Sequence, residues 1–235
     1  MSIPKMTLPE FFTELPTTKE KVKYRPFTVA EEKVLLIALE GGEDLEIQNA
    51  IFNIVNACTI DDIDFNKRPM CDLEWMFLHI RGKSINDQID LVLTHPSDVN
   101  CEHETEMMLP IANIKCEIPD IDSNIKLTDD YGVELKWPTV AYNNTADDFE
   151  GTEYIIDVIA NHIVSVYDAD EVYSDFTVDE AKEWVLSLTT PQFESIQEFF
   201  SQTPQLNTQI EWTCEACGAK ESVSLSGLGN FFAFA

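Results

Sequence analysis

The chain has 235 residues, 44% of them apolar and 10% aromatic, which is enough to bury a sizeable core and excludes a disordered protein. Its formal net charge of −28 at pH 7 gives a surface that repels nucleic-acid phosphates and anionic lipids. No apolar run reaches the length of a membrane span, and the N-terminus lacks the apolar core of a secretory signal. We therefore expect a soluble protein whose partners are basic or present apolar patches.

Residues 1–26 are predicted to form an N-terminal basic arm. Four prolines interrupt this segment, which also contains the only basic stretch of the chain, Lys19 to Arg25. Such a segment folds poorly alone but can dock on an acidic neighbour. The alternative is a mobile terminus without a partner.

Residues 27–88 are predicted to form an N-terminal helical region. Thr28 with Glu31 matches a capping box, which predicts a helix from there to about Leu39. A second helix carries an apolar stripe that ends at Cys58. A third, over about 72–81, is apolar on almost every side, which is typical of the central helix of a bundle.

The hydrophobic period then changes, and residues 89–140 are predicted to form a small antiparallel β region with short strands near 89–93, 107–109, 125–127 and 133–137. Residues 141–205 are predicted to form a C-terminal helical region. Its helices are expected at about 152–167, from the Thr177–Glu180 capping box to Leu188, and near 191–200. Residues 206–235 are predicted to form a hairpin that returns to the β region and ends in an apolar tail, Phe231 to Ala235. The fold class is therefore predicted as α+β, with a helical N-terminal part, a small β region and a helical C-terminal part.

The most informative motif is Cys214-Glu215-Ala216-Cys217, because alternating segments flank it on both sides. Two thiols in a tight turn between strands supply half of a tetrahedral metal site. A bare turn that holds no metal is the alternative. A redox pair is disfavoured, because thioredoxin-type motifs open a helix whereas a strand follows here.

The other two ligands are predicted to come from the first strand block. His95 and Cys101 follow a strand there, much as the cysteine pair follows its strand. If the two hairpins lie side by side, His95, Cys101, Cys214 and Cys217 complete an ordinary structural zinc set. The spacing from His95 to Cys101 is longer than is usual for zinc, and His103 competes as a ligand.

No catalytic or cofactor-binding residue is predicted elsewhere. The chain contains no nucleophile elbow, zinc-protease motif or phosphate-binding loop, and His79 and His162 lie on apolar helices as core residues do. We therefore predict a protein that is not an enzyme and that acts by assembly. Two other classes stay open: a small thiol- or metal-dependent enzyme, and an acidic regulator that mimics DNA.

Several segments together resemble the T4-type phage baseplate hub subunit family. They follow the family's order over nearly the whole chain: 23–33, 73–84, 167–176, 198–200, 214–218 and 230–232. The resemblance implies a late protein of a contractile-tail phage, either a hub subunit or a factor that helps the hub assemble. Some relatives carry a second cysteine pair in the first hairpin, where this chain has His95-Pro96-Ser97 and, later, Cys101.

The resemblance also implies the partners and the location. The partners would be other baseplate hub and tail proteins, with no nucleic acid, membrane or small-molecule substrate. The protein would be made in the host cytoplasm and lie in the virion, at the tail baseplate. The basic arm and the tail from Phe231 to Ala235 are the segments expected to contact neighbours.

Overall fold

The computed structural model describes residues 6–95, 101–143 and 151–228. The chain divides into two compact units, which are residues 1–65, 71–117 and 205–235 in the first, and residues 66–70 and 118–204 in the second. No helix within the described ranges combines the length and apolar character needed to cross a membrane. The predicted tail from Phe231 to Ala235 lies outside the described residues.

Groups of helices are interspersed with groups of strands along the described chain. The helices are α1 (Val29–Gly41), α2 (Asp44–Cys58), α3 (Met70–Ser84), α4 (Val140–Asn143), α5 (Gly151–His162), α6 (Val178–Leu186) and α7 (Thr190–Ser201). The strands are β1 (Phe11–Glu14), β2 (Lys21–Tyr24), β3 (Gln88–Leu93), β4 (Thr105–Pro110), β5 (Lys115–Glu117), β6 (Asn124–Lys126), β7 (Gly132–Leu135), β8 (Ile163–Tyr167), β9 (Val172–Tyr173), β10 (Gln205–Thr213) and β11 (Lys220–Ser226).

The first unit begins with a β-hairpin inside the range predicted as a basic arm. Strands β1 and β2 pair antiparallel, and Val22 and Tyr24 of β2 are buried. Two of the basic side chains are paired: Lys23 lies 3.0 Å from Glu10, and Arg25 lies 2.7 Å from Glu31. The bounds predicted for this and the other domains stay predictions.

The helices of the first unit follow the sequence signals closely. The carboxylate of Glu31 accepts a hydrogen bond from the amide of Thr28 at 2.7 Å, so the predicted capping box at the start of α1 is confirmed. Helix α1 ends at Gly41 and is capped by Gly42, whose φ of 72° is the left-handed conformation that glycine adopts without strain. Helix α3 buries side chains on most of its circumference, as its sequence predicts.

Three antiparallel pairings build the remaining sheets of the first unit. Strand β3 pairs with β4, and β10 lies between β11 and β5. Strand β10 alternates strictly, with Leu206, Thr208, Ile210 and Trp212 buried and the residues between them exposed or half-buried. Because side chains of a strand alternate between faces, Cys214 continues this buried face beyond the end of β10.

The second unit is a four-stranded antiparallel sheet, in the order β6-β7-β8-β9, with helices packed on it. Val133 and Leu135 of β7 form a core with Ile159 of α5, Val185 of α6 and Phe199 of α7. A Cβ atom added at Gly132 of β7 would overlap the ring of Tyr167 of β8, its partner in the register. A larger residue at position 132 would therefore require the ring of Tyr167 to move.

The predicted fold class was wrong in its helical C-terminal part, although the chain is a mixed α+β protein. The helix predicted over about 152–167 ends at His162, and residues 163–167 form β8, which pairs with β7. Ile163, Val164 and Val166 are β-branched and favour a strand. Ile163 and Val166 also continue the helical stripe of α5, so the periodicity was ambiguous until pairing with β7 decided it.

Candidate metal centre

The turn between β10 and β11 holds its two cysteines in a fixed relation. The amide of Gly218 donates to the carbonyl of Cys214 at 2.9 Å, and the amide of Cys214 donates to the carbonyl of Ala219 at 2.9 Å. The φ of Gly218 is 72°, a left-handed conformation that a side chain would strain. This turn lets both sulfurs point to the same side of the hairpin.

The β3–β4 hairpin brings the other two candidate ligands. Ile89, Leu91 and Leu93 of β3 are buried at every second position, and His95 is the next residue in that alternation. Cys101 lies in the connection that leads into β4. Because β3 and β4 are paired, His95 just after β3 and Cys101 just before β4 lie close together despite their separation in the sequence.

The four residues predicted as ligands form one cluster. Their ligand atoms all lie within 4.8 Å of one another. In the part of the chain that the structure describes, these four residues form a cluster that could hold a metal ion. The sulfurs of Cys101 and Cys214 are 3.8 Å apart, and the sulfur of Cys217 is 3.4 Å from Nε2 of His95. His103, the competing candidate, is not a member of this cluster.

Two of these distances match the separations expected around a tetrahedral zinc ion. Bonds of about 2.3 Å to sulfur and 2.0 Å to nitrogen, at tetrahedral angles, place two sulfurs about 3.8 Å apart and a sulfur and a nitrogen about 3.5 Å apart. The observed separations of 3.8 Å and 3.4 Å are close to both values. One nitrogen with three sulfurs is also a set that suits zinc rather than calcium or magnesium, which prefer oxygen.

The imidazole of His95 is held from two sides by the terminal hairpin. Its Nδ1 lies 3.4 Å from Oε1 of Glu221, and its ring centroid is 5.0 Å from that of Trp212. Trp212 and Glu221 are direct partners across β10 and β11, so both side chains project from the same face. With Nδ1 directed to a carboxylate, Nε2 is the nitrogen that faces the sulfurs, as in many metal sites.

Hydrogen bonds to sulfur favour the thiolate form at Cys214. The amide of Cys217 donates to this sulfur, and His95 and the amide of Ala216 add to its effect, so the pKa of the Cys214 thiol falls from 9.0 to about 6 despite its burial. At Cys217 the amide of Ala219 also lowers the pKa. Loss of hydration at the thiol, together with the nearby sulfurs of Cys214 and Cys101, outweighs that effect and raises the pKa of Cys217. Three sulfurs therefore lie close together in the cluster. A bound cation would neutralise the negative charge of their thiolate forms.

Sequence reasoning did not identify the two residues that support His95. Trp212 lies two residues before Cys214 but Glu221 lies four residues after Cys217, so the spacing around the cysteines does not indicate that the two are partners. The sequence also does not indicate that His95 packs on this pair, because His95 and Trp212 are 117 positions apart.

Fold and site together define an α+β protein in which two hairpins share a four-residue candidate metal centre. The chain belongs to the family described as T4 bacteriophage base plate protein, whose model matches residues 8–233. The predicted relation to T4-type baseplate proteins is thereby confirmed. No curated protein and no solved structure matches the chain. Membership assigns the protein to the tail baseplate of a phage virion, where it contacts other baseplate proteins.

Proposed function

We propose that this baseplate protein acts at the central hub, either as a hub subunit or as a factor that helps the hub assemble. Its partners are other hub and tail proteins, which it binds through protein–protein contacts after synthesis in the host cytoplasm. The family match over residues 8–233 supports a baseplate role, and the segments that resemble hub subunits support the hub within it.

We further propose that His95, Cys101, Cys214 and Cys217 bind one structural zinc ion. The observation that carries this proposal is the cluster itself, four ligand atoms within 4.8 Å of one another on two hairpins. Catalytic zinc sites keep one position open for water or substrate, whereas four protein ligands close the coordination sphere. The donor set therefore favours a structural role over a metal-dependent enzyme, and we assign the protein no enzymatic activity.

The zinc ion would supply folding energy rather than chemistry. Each hairpin contributes two ligands, so the ion links β3–β4 to β10–β11 within the first unit. Because the ligands are brought together only in the folded chain, binding free energy adds to the stability of that unit.

Metal analysis of the purified protein tests the zinc proposal. We expect one zinc per chain, lost in Cys214→Ala and in Cys101→Ala. Matched controls are Cys58→Ala, which is buried like Cys214, and Cys116→Ala, which is half-buried like Cys101. Both controls should keep the ion. Equal zinc content in all four variants and the wild type, or none in any, would refute the site.

Complementation of a phage that lacks this gene tests the hub proposal. We expect the wild-type protein to restore tails with complete hubs. Mass spectrometry of purified tails then separates a subunit, which is present, from an assembly factor, which is absent. Normal hubs in the uncomplemented phage would overturn the proposed function, whatever the zinc content of the protein.

A further inference from the structure

A cavity of about 270 Å³ in the second unit is lined by five aromatic side chains, and we call it the aromatic cavity. The five are Tyr131, Tyr167, Tyr173, Phe176 and Trp184. Tyr131 is 53% exposed and Tyr173 47%, so a ligand can enter from the surface. Ligand pockets usually hold about 300–1,000 Å³, so this volume suits one side chain or a small ion rather than a cofactor.

The fold positions most of these rings without help from a ligand. Phe176 and Trp184 pack against the core that β7, β8, α5, α6 and α7 form. The hydroxyl of Tyr167 donates a hydrogen bond to Oδ1 of Asn124 at 2.6 Å. Three of the five rings are therefore held by contacts within the second unit.

Two carboxylates line the same cavity, Asp168 and Glu180. Oδ1 of Asp168 accepts hydrogen bonds from two backbone amides at 2.9 Å each, and its Oδ2 accepts one from the hydroxyl of Tyr173 at 3.0 Å. Oε2 of Glu180 accepts one from the amide of Thr177 at 2.7 Å, in the capping box of α6. These amides lower the pKa of both carboxyls, so both are ionised at neutral pH. Among the described residues that line the cavity there is no lysine or arginine to balance them.

The rings and the carboxylates together select a cation that carries N–H groups. A cation over an aromatic ring is attracted by the ring quadrupole, and arginine is the side chain most often found there. The guanidinium of arginine also donates several N–H groups to carboxylates, whereas a quaternary ammonium has none to donate. An uncharged side chain would gain no charge attraction from Asp168 and Glu180.

We propose that the aromatic cavity receives the side chain of one arginine from another baseplate protein. The guanidinium lies among the aromatic rings and donates to Asp168 and Glu180. A protein is the source to which we commit, because family membership places this chain in contact with other baseplate proteins. The inference rests on the proposed function, since it names the chemistry of one contact in that assembly.

Titration of the full-length protein, followed by NMR at the indole signal of Trp184, tests the inference. The probe is a blocked tripeptide with arginine between two glycines, and the control peptide has citrulline, which has nearly the same shape but no charge. We expect the arginine peptide to shift the signal and to bind about tenfold more tightly than the citrulline peptide. No shift, or equal binding of the two peptides, would overturn the inference. Tighter binding of tetramethylammonium chloride than of the arginine peptide would also overturn it, because the cavity would then suit a free quaternary cation.

Variants at Tyr131 test the contribution of the rings. Tyr131→Leu keeps an apolar side chain but removes the ring, and it should weaken binding of the arginine peptide about threefold to tenfold. Tyr131→Phe keeps the ring and is the matched control, which should bind as the wild type does. Equal binding by Tyr131→Leu and the wild type would contradict a site in this cavity.

Variants of α6 test the contribution of charge. Glu180→Gln should leave the helix intact, because Gln192 closes the same kind of capping box at the start of α7. It should weaken binding of the arginine peptide about threefold. Glu183→Gln removes the same charge from an exposed position of α6 outside the cavity lining, and it should bind as the wild type does. Equal losses in the two variants would mean that the acidic surface in general attracts the peptide, and would refute the site.

The titration needs no phage, so its failure would leave the proposed hub function standing. In phage complementation, Tyr131→Leu combined with Glu180→Gln should fail to restore hubs, while Tyr131→Phe combined with Glu183→Gln restores them. Hubs that form without any copy of this protein would refute the proposed function. Hubs restored by the first double variant would refute only the arginine contact.

Discussion

Nδ1 of His95 lies 3.4 Å from Oε1 of Glu221, so a carboxylate of the terminal hairpin orients a candidate ligand of the first hairpin. A carboxylate behind a metal-bound histidine fixes the ring and makes it a better ligand. Glu221 therefore supports the site without belonging to the ligand set.

We expect Glu221→Gln to weaken zinc binding by about 10- to 100-fold, the usual cost of losing such a supporting group. Competition with a chromophoric chelator measures the affinity. Glu215→Gln is the matched control, because it removes the same charge from an exposed position within the cysteine turn. Equal losses in both variants would mean that overall charge matters and the contact to His95 does not.

We expect Cys214→Ala to lower the thermal stability of the protein. At free zinc about 1,000 times above the dissociation constant, binding stabilises the folded state by about 4 kcal/mol, and the variant loses this contribution. Calorimetry with and without chelator checks it: chelator should lower the Tm of the wild type and of Cys58→Ala but leave Cys214→Ala unchanged. A wild-type Tm that does not respond to chelator would contradict the prediction.

We expect Glu74 to make the protein less stable as the pH rises from 5 to 8. Burial raises the pKa of this carboxyl from 4.5 to about 7, although it accepts a hydrogen bond from the amide of Leu228 at 2.9 Å. Between these two pKa values the folded state binds a proton that the unfolded state has released, so stability falls with pH through that range and is level above about 7.

Glu74→Gln keeps the acceptor for Leu228 but cannot ionise. The free energy of unfolding of the variant minus that of the wild type should increase by about 2 kcal/mol from pH 5 to pH 8. Urea denaturation at the two pH values measures it. Parallel changes in the wild type and the variant would show that Glu74 does not carry the effect.

We expect Gly132→Ala to destabilise the protein by about 1–3 kcal/mol, because the new methyl group would overlap the ring of Tyr167. In a Tyr167→Ala background the same substitution should be neutral or stabilising, since alanine suits a strand better than glycine does. A double-mutant cycle by denaturant unfolding measures the coupling. An equal cost in both backgrounds would mean that the ring is not the obstacle.

Local signals in the sequence predicted much of the fold. The capping boxes at Thr28 and Thr177 lie directly before α1 and α6. Each works because a side chain and a backbone amide a few residues apart satisfy each other, which depends on no distant contact. The error at β8 has the opposite cause, since residues 163–167 became a strand through pairing with β7, about 30 residues earlier in the chain.

The candidate site shows the same division between local and distant information. Cys214 and Cys217 could be paired from spacing alone, because one turn carries both. His95 and Cys101 were chosen because both hairpins place ligand-type residues after a strand, and the structure brings all four together. Glu221 was missed, because its role depends on packing between segments 126 positions apart.

The terminal hairpin also determines when the first unit can complete its fold during synthesis. Strand β10 joins β5, and its turn meets His95 and Cys101, but the ribosome makes residues 118–204 before either contact can form. The first half of the polypeptide, up to residue 117, therefore lacks these contacts until translation has nearly finished. A prematurely terminated chain would lack the Cys214–Cys217 turn and could not form the proposed zinc site. Zinc binding would therefore distinguish complete chains from fragments before assembly into a tail.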